Sequence, residues 1–365
     1  MGPHLYDGTS GVALFMAEGA VRFRDDRMRD TAIGAIRHAL QHARRLDGNG
    51  LGLYTGPIGV AYAAARVGQL LEAEEALAGA HELLLAWRRH PVPSADCDLV
   101  DGRAGALTGL LALAPLVEES WLVEAAVGLG EELMARAAVS RLGWSWPAPG
   151  QRAMHNLCGF AHGAAGIGLA LVELFGATGD KRFRRAAEGA FAYVRSWMRP
   201  ETGVWPDLRG VARVAGREAP APVSTSWCHG APGIALSRLR AAGLLRADQP
   251  RAEPAVMATR RITCELLAYC PDDFCLCHGA AGAADVLVYA ADSSGLAEEV
   301  GLLGVEQFHR REKSFPCGLP GGQTPGLMLG LAGVAAFYLR LADRSVPSPL
   351  VIQPRGDLDG TPKPA

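Results

Sequence analysis

The chain has 365 residues, 49% of them hydrophobic, which is enough for two domains or for one large repeat architecture with an extensive core. Its 36 basic and 38 acidic residues nearly cancel, so nothing in the charge favours a nucleic acid or an anionic membrane as partner. There is no signal-peptide pattern and no uncharged apolar run of about 18 residues, so we expect a cytoplasmic protein without a membrane span. In such a protein the eight cysteines indicate reduced thiols rather than a disulfide framework.

One short pattern, two glycines three positions apart followed by an apolar run, returns seven times along the chain. The pairs are Gly8 and Gly11, Gly56 and Gly59, Gly102 and Gly105, Gly163 and Gly166, Gly230 and Gly233, Gly279 and Gly282, and Gly330 and Gly333. Successive first glycines are 48, 46, 61, 67, 49 and 51 residues apart. A period of this length is typical of repeat architectures.

Each repeat predicts two helices. An Ala- and Leu-rich helix follows the glycines, and a second segment carries charge on one side only, as between residues 179 and 199, where Phe183, Ala187 and Phe191 share one face. We therefore predict an all-α fold, an α/α toroid of seven helical hairpins with an inner barrel inside an outer one. An open helical solenoid is the alternative. This domain is expected to cover residues 1–345, and the Pro-rich segment 346–365 is expected to be a disordered tail.

The glycine pairs also predict where function concentrates. Glycine permits backbone shapes that other residues avoid, and it allows helix starts to crowd together. All inner helices would then begin at one end of the barrel, which we call the mouth. Seven helix N-termini with free N–H groups make the mouth a suitable place to stabilise an anion.

The residues directly before the first glycines should line the mouth. In chain order they are Asp7, Thr55, Asp101, His162, His229, His278 and Leu329. Two of the histidines follow a cysteine, so Cys228, Cys277 and His278 form a set of donors that zinc favours, with a fourth position left for a substrate. Alternatively, the cysteines are small apolar fillers of the core. His162 occupies the equivalent position one repeat earlier and is a second candidate for the site.

These segments resemble the lanthionine synthetase cyclase (LanC-like) family. The resemblance rests on CDLVDGRAG from Cys97, GFAHGAAGIG from Gly159, SWCHGAPGI from Ser226 and CHGAAG from Cys277, and it extends over about positions 5 to 342. Within this family the chain is most similar to the cyclase domains of bifunctional class II lanthipeptide synthetases, in which a large dehydratase precedes the cyclase. A lone cyclase and a fragment of a bifunctional enzyme are both compatible with this sequence.

The resemblance implies a zinc-dependent cyclase that acts on a dehydrated precursor peptide, working with a separate or fused dehydratase. Cysteine thiols of the peptide would add to dehydroalanine or dehydrobutyrine and form (methyl)lanthionine thioether rings. By motif, Cys228, Cys277 and His278 would bind one zinc ion, and His162 would transfer the proton.

Two further assignments are less direct. Asp98 matches the active-site aspartate of the family, although Asp96 and Asp101 are close alternatives, and His229 would either face the cavity or replace His278 as ligand. Stand-alone members often have an arginine four positions before the first zinc cysteine, but this chain has Ser224.

Two other functions remain open at this point. Family relatives join glutathione to dehydrated residues in proteins with a similar zinc site. A catalytically silent barrel that binds a peptide is the other alternative, although the three metal donors argue against it. The segment 201–225 is rich in Pro, Gly and Arg, and it is either a lid over the mouth or a plain surface loop.

Overall fold

A computed structural model describes residues 1–43, 51–90, 94–148, 154–211, 213–214, 217–218, 222–245, 252–269, 271–319 and 322–354. Within these residues the helices are, in chain order, α1 (Thr9–Phe23), α2 (Asp26–Ala43), α3 (Pro57–Leu71), α4 (Glu74–Arg89), α5 (Arg103–Val117), α6 (Trp121–Arg136), α7 (Ala164–Thr178), α8 (Lys181–Ser196), α9 (Ala231–Leu245), α10 (Glu253–Tyr269), α11 (Ala280–Tyr289), α12 (Leu296–Gly304) and α13 (Leu331–Ala342). A π-helical turn, Val305–His309, extends α12.

The helices form two concentric layers, as predicted. Each odd-numbered helix from α1 to α13 packs against the next odd-numbered helix, and α13 packs back against α1 to close the ring. The even-numbered helices pack outside them. In α8 the buried residues include Phe183, Ala187 and Phe191, the face that the helical spacing identified. The fold is therefore the predicted α/α toroid, and the open solenoid is excluded.

The remaining regular structure consists of two small antiparallel hairpins. β1 (Ala138–Ser140) pairs with β2 (Gly143–Ser145), and β2 packs on the outer helix α8. β3 (Arg213–Val214) pairs with β4 (Arg217–Glu218) in the segment 201–225. None of the described helices is long and apolar enough to cross a membrane.

The glycine pairs serve close packing more than unusual backbone geometry. A Cβ on any of the seven second glycines would fall on the carbonyl oxygen of the residue six positions earlier, as at Gly233, where it would meet Trp227. Of the seven first glycines only Gly163, with a φ of 131°, has the backbone conformation that favours glycine, and ordinary extended backbone is found at the following five: Gly8, Gly56, Gly102, Gly279 and Gly330. The expectation that glycine supplies forbidden backbone shapes thus holds at one repeat, while crowding explains the second glycine of every pair.

A closed ring of seven backbone hydrogen bonds joins the repeats at the mouth. The N–H groups of Tyr6, Tyr54, Leu99, Ala161, Trp227, Cys277 and Met328 donate to the carbonyls of Tyr54, Val100, Ala161, Cys228, Cys277, Met328 and Tyr6, respectively. The distances lie between 2.7 and 3.2 Å. The ring passes through Cys228 and Cys277, so their backbones are fixed before any ligand binds.

The segment after α13 enters the interior of the toroid. The Tyr54 hydroxyl donates to the carbonyl of Pro349 at 2.9 Å, and the indole N–H of Trp227 donates to the carbonyl of Leu350 at 3.0 Å. Leu350 is fully buried, and Trp227 is 1% exposed. Trp227, the residue before Cys228, therefore fills the interior of the barrel, where its ring also packs against Tyr54 and Phe160.

This segment corrects the expected domain boundary. The Ser348 hydroxyl donates to Asp285 at 2.6 Å, and Asp285 also pairs with Arg340, whose guanidinium in turn donates to the carbonyl of Val346. Residues 346–354 thus belong to the folded domain, because the buried polar side chains of α11 and α13 need these partners. The rest of the expected tail, residues 355–365, lies outside the described residues.

Candidate active site at the mouth of the toroid

Two cysteine thiols meet at the mouth. Cys228 and Cys277 occupy equivalent positions, two residues before a first glycine, and their side chains are in hydrogen-bond contact. This bond to Cys277, the nearby Ser226 hydroxyl and the charge of Arg209 outweigh burial and lower the pKa of Cys228 to about 6. The same bond, together with burial, raises the pKa of Cys277. The pair therefore shares one proton readily, with the thiolate on Cys228.

His278, the third predicted zinc ligand, follows Cys277 in the chain, but its side chain has other partners. Its Nδ1 is paired with the carboxylate of Asp273 and is 3.6 Å from the sulfur of Cys275. The hydrogen bond to Asp273, followed by that to Cys275, raises the pKa of His278 to about 10. The donor atoms of Asp273, Cys275 and His278 all lie within 4.8 Å of one another. The structure thus brings Cys228 and Cys277 together and turns His278 towards this carboxylate and thiol.

The predicted proton-transfer residues form a second cluster. Nδ1 of His162 lies 2.6 Å from Oδ2 of Asp98, and the donor atoms of Asp98, Asp101 and His162 lie within 4.8 Å of one another. Burial disfavours the charged imidazole, but the hydrogen bond that His162 donates to Asp98 and the negative charges of Asp98 and Asp101 outweigh burial and raise the pKa of His162. From the sequence, Asp96, Asp98 and Asp101 were all candidates for the active-site aspartate. In the structure Asp98 is the one that pairs with the imidazole of His162.

His229 connects the two clusters. Its ring stacks on that of His162, with 5.4 Å between the centroids and 19° between the planes, and the residue is 4% exposed. Burial, followed by the positive charges of Arg209 and His162, lowers the pKa of His229 to about 3. His229 is therefore a neutral imidazole at neutral pH, and its described contact is the stacking on His162 rather than a bond to the thiols.

Four site residues were missed by the sequence analysis. The Tyr6 hydroxyl donates to the sulfur of Cys277 at 2.9 Å, and Arg209 interacts electrostatically with both thiols. Asp273 and Cys275 hold His278. Tyr6 could have been found, because it precedes Gly8 by two positions, the register that Cys228 and Cys277 share. Cys275 has a register too, because it precedes Gly279 by four positions as Asp98 precedes Gly102, whereas Arg209 lies on the irregular segment 201–225, where the repeat gives no register.

The donors at the mouth fit zinc chemically. Two thiols in contact, one with a depressed pKa, and a neighbouring imidazole are the soft donors that zinc prefers in sites with an open position. Carboxylates such as Asp273 commonly orient the histidines of such sites.

The chain was compared with known proteins. The family profile described as "Lanthionine synthetase C-like protein" matches residues 1–351. No curated protein matches the chain. Among solved structures, the chain is similar to nisin cyclase, with a TM-score of 0.66 and 17% sequence identity over 93% of this chain and 88% of that chain. At this identity the likeness shows the fold, and the family match over nearly the whole chain shows that the protein belongs to the lanthionine synthetase C-like family.

Proposed function

We propose that the protein is a zinc-dependent lanthipeptide cyclase that forms (methyl)lanthionine rings in a dehydrated precursor peptide. One observation carries this proposal: the thiol pair of Cys228 and Cys277 and the proton-transfer pair of His162 and Asp98 share one mouth. The two pairs are adjacent, because the N–H of Ala161 donates to the carbonyl of Cys228 at 3.0 Å and the ring of His162 stacks on that of His229. Membership of the family supports the same reaction.

The reaction needs a nucleophile and a proton donor at adjacent atoms. The peptide thiol loses its proton, and its sulfur bonds to the β-carbon of dehydroalanine or dehydrobutyrine. The π electrons move towards the carbonyl oxygen, and the resulting enolate takes a proton at the α-carbon. The product has the same atoms as the substrate, so the step needs no oxidant or reductant.

Cys228, Cys277 and His278 are the residues that would hold zinc. When bound, zinc supplies a site where a substrate thiol is held in its deprotonated, nucleophilic form. His278 must then release one proton, because an imidazole that is protonated on both nitrogens cannot bind a metal, whereas a neutral imidazole can bind one and still keep a hydrogen bond to a carboxylate such as Asp273. The Tyr6 hydroxyl supports the thiolate form of Cys277, since it donates to that sulfur.

His162 is the acid that returns the proton. Its raised pKa keeps a substantial fraction of the imidazole charged near neutral pH, which a donor to carbon requires. Asp98 holds Nδ1, which leaves Nε2 for the substrate. His229 stays neutral beside it and gives the cavity a wall that does not compete for the proton.

The experiment combines metal content with ring formation. The purified protein should contain about one zinc per chain and should cyclise a synthetic peptide that carries one dehydroalanine and one cysteine. Since cyclisation leaves the mass unchanged, the peptide is treated afterwards with iodoacetamide, which adds mass only to peptide that still has a free thiol.

Matched variants separate the site from the fold. Cys277→Ala should lose zinc and ring formation, whereas Cys264→Ala, on the exposed face of α10, should keep both. A wild type that folds but binds no zinc would sink the proposal in favour of a silent barrel. A zinc enzyme that instead adds glutathione to the peptide, seen as a mass increase, would favour the glutathione-transferring alternative.

A further inference from the structure

A second position of the repeat carries functional side chains. It lies four residues before each first glycine, and we call it the supporting position. Its occupants in chain order are His4, Gly52, Asp98, Gly159, Ser226, Cys275 and Gly326. Three of the seven are glycines, whereas the third, fifth and sixth repeats have a side chain with a polar or sulfur atom there.

The side chains of these three repeats make the same bond to the backbone. Each accepts a hydrogen bond from the N–H of the residue directly before the first glycine. The bonds run from Asp101 to Oδ1 of Asp98 at 2.8 Å, from His229 to Oγ of Ser226 at 3.3 Å, and from His278 to Sγ of Cys275 at 3.5 Å. The bond fixes the supporting side chain beside the start of the inner helix.

From this fixed place each supporting side chain reaches a residue of the candidate site. Oδ2 of Asp98 lies 2.6 Å from Nδ1 of His162, and Sγ of Cys275 lies 3.6 Å from Nδ1 of His278. In the fifth repeat Oγ of Ser226 lies 3.2 Å from Sγ of Cys228. Ser226 therefore stands to this thiol as Asp98 stands to His162.

The surroundings of Ser226 orient its hydroxyl. Ser226 is 8% exposed, and its Oγ lies 2.7 Å from Oγ of Ser224, the residue at the position where stand-alone relatives often have an arginine. A hydroxyl has one hydrogen and two acceptor sites. When the N–H of His229 and the hydroxyl of Ser224 occupy the acceptor sites, the hydrogen of Ser226 is left for the sulfur of Cys228.

A metal-bound sulfur is a thiolate, which accepts hydrogen bonds and has none to donate. Hydrogen bonds to a charged acceptor are the stronger ones, so the thiolate favours this orientation of the hydroxyl. We propose that Ser226 is a positioning residue of the zinc site, whose hydroxyl donates to the thiolate of Cys228 and holds that sulfur towards the metal. This inference rests on the zinc site of the proposed function.

The first measurement is the zinc affinity of serine variants in the full-length chain, by competition with a chromophoric chelator. Ser226→Ala should bind zinc about tenfold more weakly, the loss typical when a partner of a metal ligand is removed. Ser237→Ala is the matched control, because Ser237 is fully buried on α9 of the same repeat and its hydroxyl donates to the helix carbonyl of Ile234 at 2.8 Å. Its affinity should equal that of the wild type. An affinity of Ser226→Ala within about threefold of the wild type overturns the inference, as does an equal loss in both variants.

The second measurement separates a bond to the sulfur from a general effect on the fold. Cobalt(II) replaces zinc, and the sulfur-to-cobalt charge-transfer band is recorded at saturating metal. A hydrogen bond stabilises the sulfur lone pair, so its loss in Ser226→Ala should move the band to longer wavelength, while Ser237→Ala should leave the band in place. A purely structural role of Ser226 would weaken binding without moving the band, and that result overturns the inference.

Neither measurement depends on ring formation, so the two proposals can fail separately. A wild type that binds zinc, shows the shifted band in Ser226→Ala and forms no rings refutes the cyclase and leaves the role of Ser226 in place. A wild type that forms rings, with an unmoved band in Ser226→Ala, keeps the cyclase and refutes the role of Ser226. A wild type that binds neither zinc nor cobalt overturns both.

Discussion

The hydroxyl of Tyr6 donates to the sulfur of Cys277 at 2.9 Å, so a residue of the first repeat contacts a zinc-candidate cysteine of the sixth. Both residues belong to the ring of backbone hydrogen bonds, in which Met328 lies between them. Tyr6 therefore reaches the thiol of Cys277 because the last repeat closes the ring against the first.

Removal of that donor should weaken metal binding. Tyr6→Phe is expected to lower zinc affinity about tenfold, because partners of metal ligands typically contribute that much and the donated bond favours the thiolate of Cys277. Competition with a chromophoric chelator measures it. Tyr338→Phe, which loses a 2.9 Å bond to the carbonyl of Gly301 on α12 and leaves the bond from Tyr6 to Cys277 in place, is the control. Equal affinities for both variants would show that the Tyr6 bond does not support the metal site.

Zinc binding should release protons and strengthen as pH rises. At pH 7 the thiol of Cys228 is mostly ionised, since its pKa is about 6, whereas Cys277 and His278 are still protonated, with the pKa of His278 near 10. All three donors must be deprotonated to bind, so about two protons should leave per zinc at pH 7. Titration calorimetry in buffers of different ionisation enthalpy counts them. If the measured binding enthalpy is the same in all buffers, no protons are released, and the assigned ligands are wrong.

The acid role of His162 predicts a direction for the pH profile. Asp98 and Asp101 raise the pKa of His162 against the effect of burial, so Asp98→Asn should lower that pKa. If the charged imidazole donates the proton, activity is lost as pH rises through this pKa, and the variant should lose it at lower pH than the wild type. Asp101→Asn should shift the profile less, because Asp101 acts through charge alone. An unshifted alkaline limb in Asp98→Asn argues against His162 as the acid.

Truncation tests the role of the C-terminal segment. Removing residues 346–365 exposes the cavity that Leu350 fills and leaves Asp285 and Arg340 without Ser348 and the carbonyl of Val346. The free energy of unfolding should fall by about 5 kcal/mol, given about 1.5–3 kcal/mol for each large buried apolar side chain and the lost partners of buried polar groups. Urea unfolding measures it.

A shorter truncation serves as the control for that experiment. Removing only residues 355–365 keeps the contacts of the segment 346–354, so this variant separates the loss of those contacts from the loss of chain length. If the two truncations behave alike, the segment 346–354 contributes nothing to the stability of the barrel.

Two glycines of α9 test the packing argument. A Cβ at Gly233 would fall on the carbonyl of Trp227 and within 2.5 Å of the Phe160 Cβ, whereas a Cβ at Gly243 would meet nothing within 4 Å. Gly233→Ala should destabilise the protein by about 3 kcal/mol or prevent folding, since the obstacle is backbone. Gly243→Ala should stabilise it by about 0.5–1 kcal/mol, because alanine loses less entropy in a helix. Thermal unfolding of both variants measures the difference.

The sequence by itself determined the toroid, because seven glycine pairs at a regular period require seven equivalent helix starts, and equivalent starts bring Cys228 and Cys277 to the same level of the mouth. Register of this kind is local and can be read from spacing. The tertiary structure decided the contacts between different repeats and those made by irregular segments. They are the bond from Tyr6 to Cys277, the pairing of His278 with Asp273, and the electrostatic interaction of Arg209 with the thiols. The tertiary structure also decided that residues 346–354 fill the barrel, where Pro-rich composition had predicted disorder. These contacts depend on which surfaces face each other after closure: the repeat register places Tyr6 at the level of Cys277, but it does not specify that the two side chains bond.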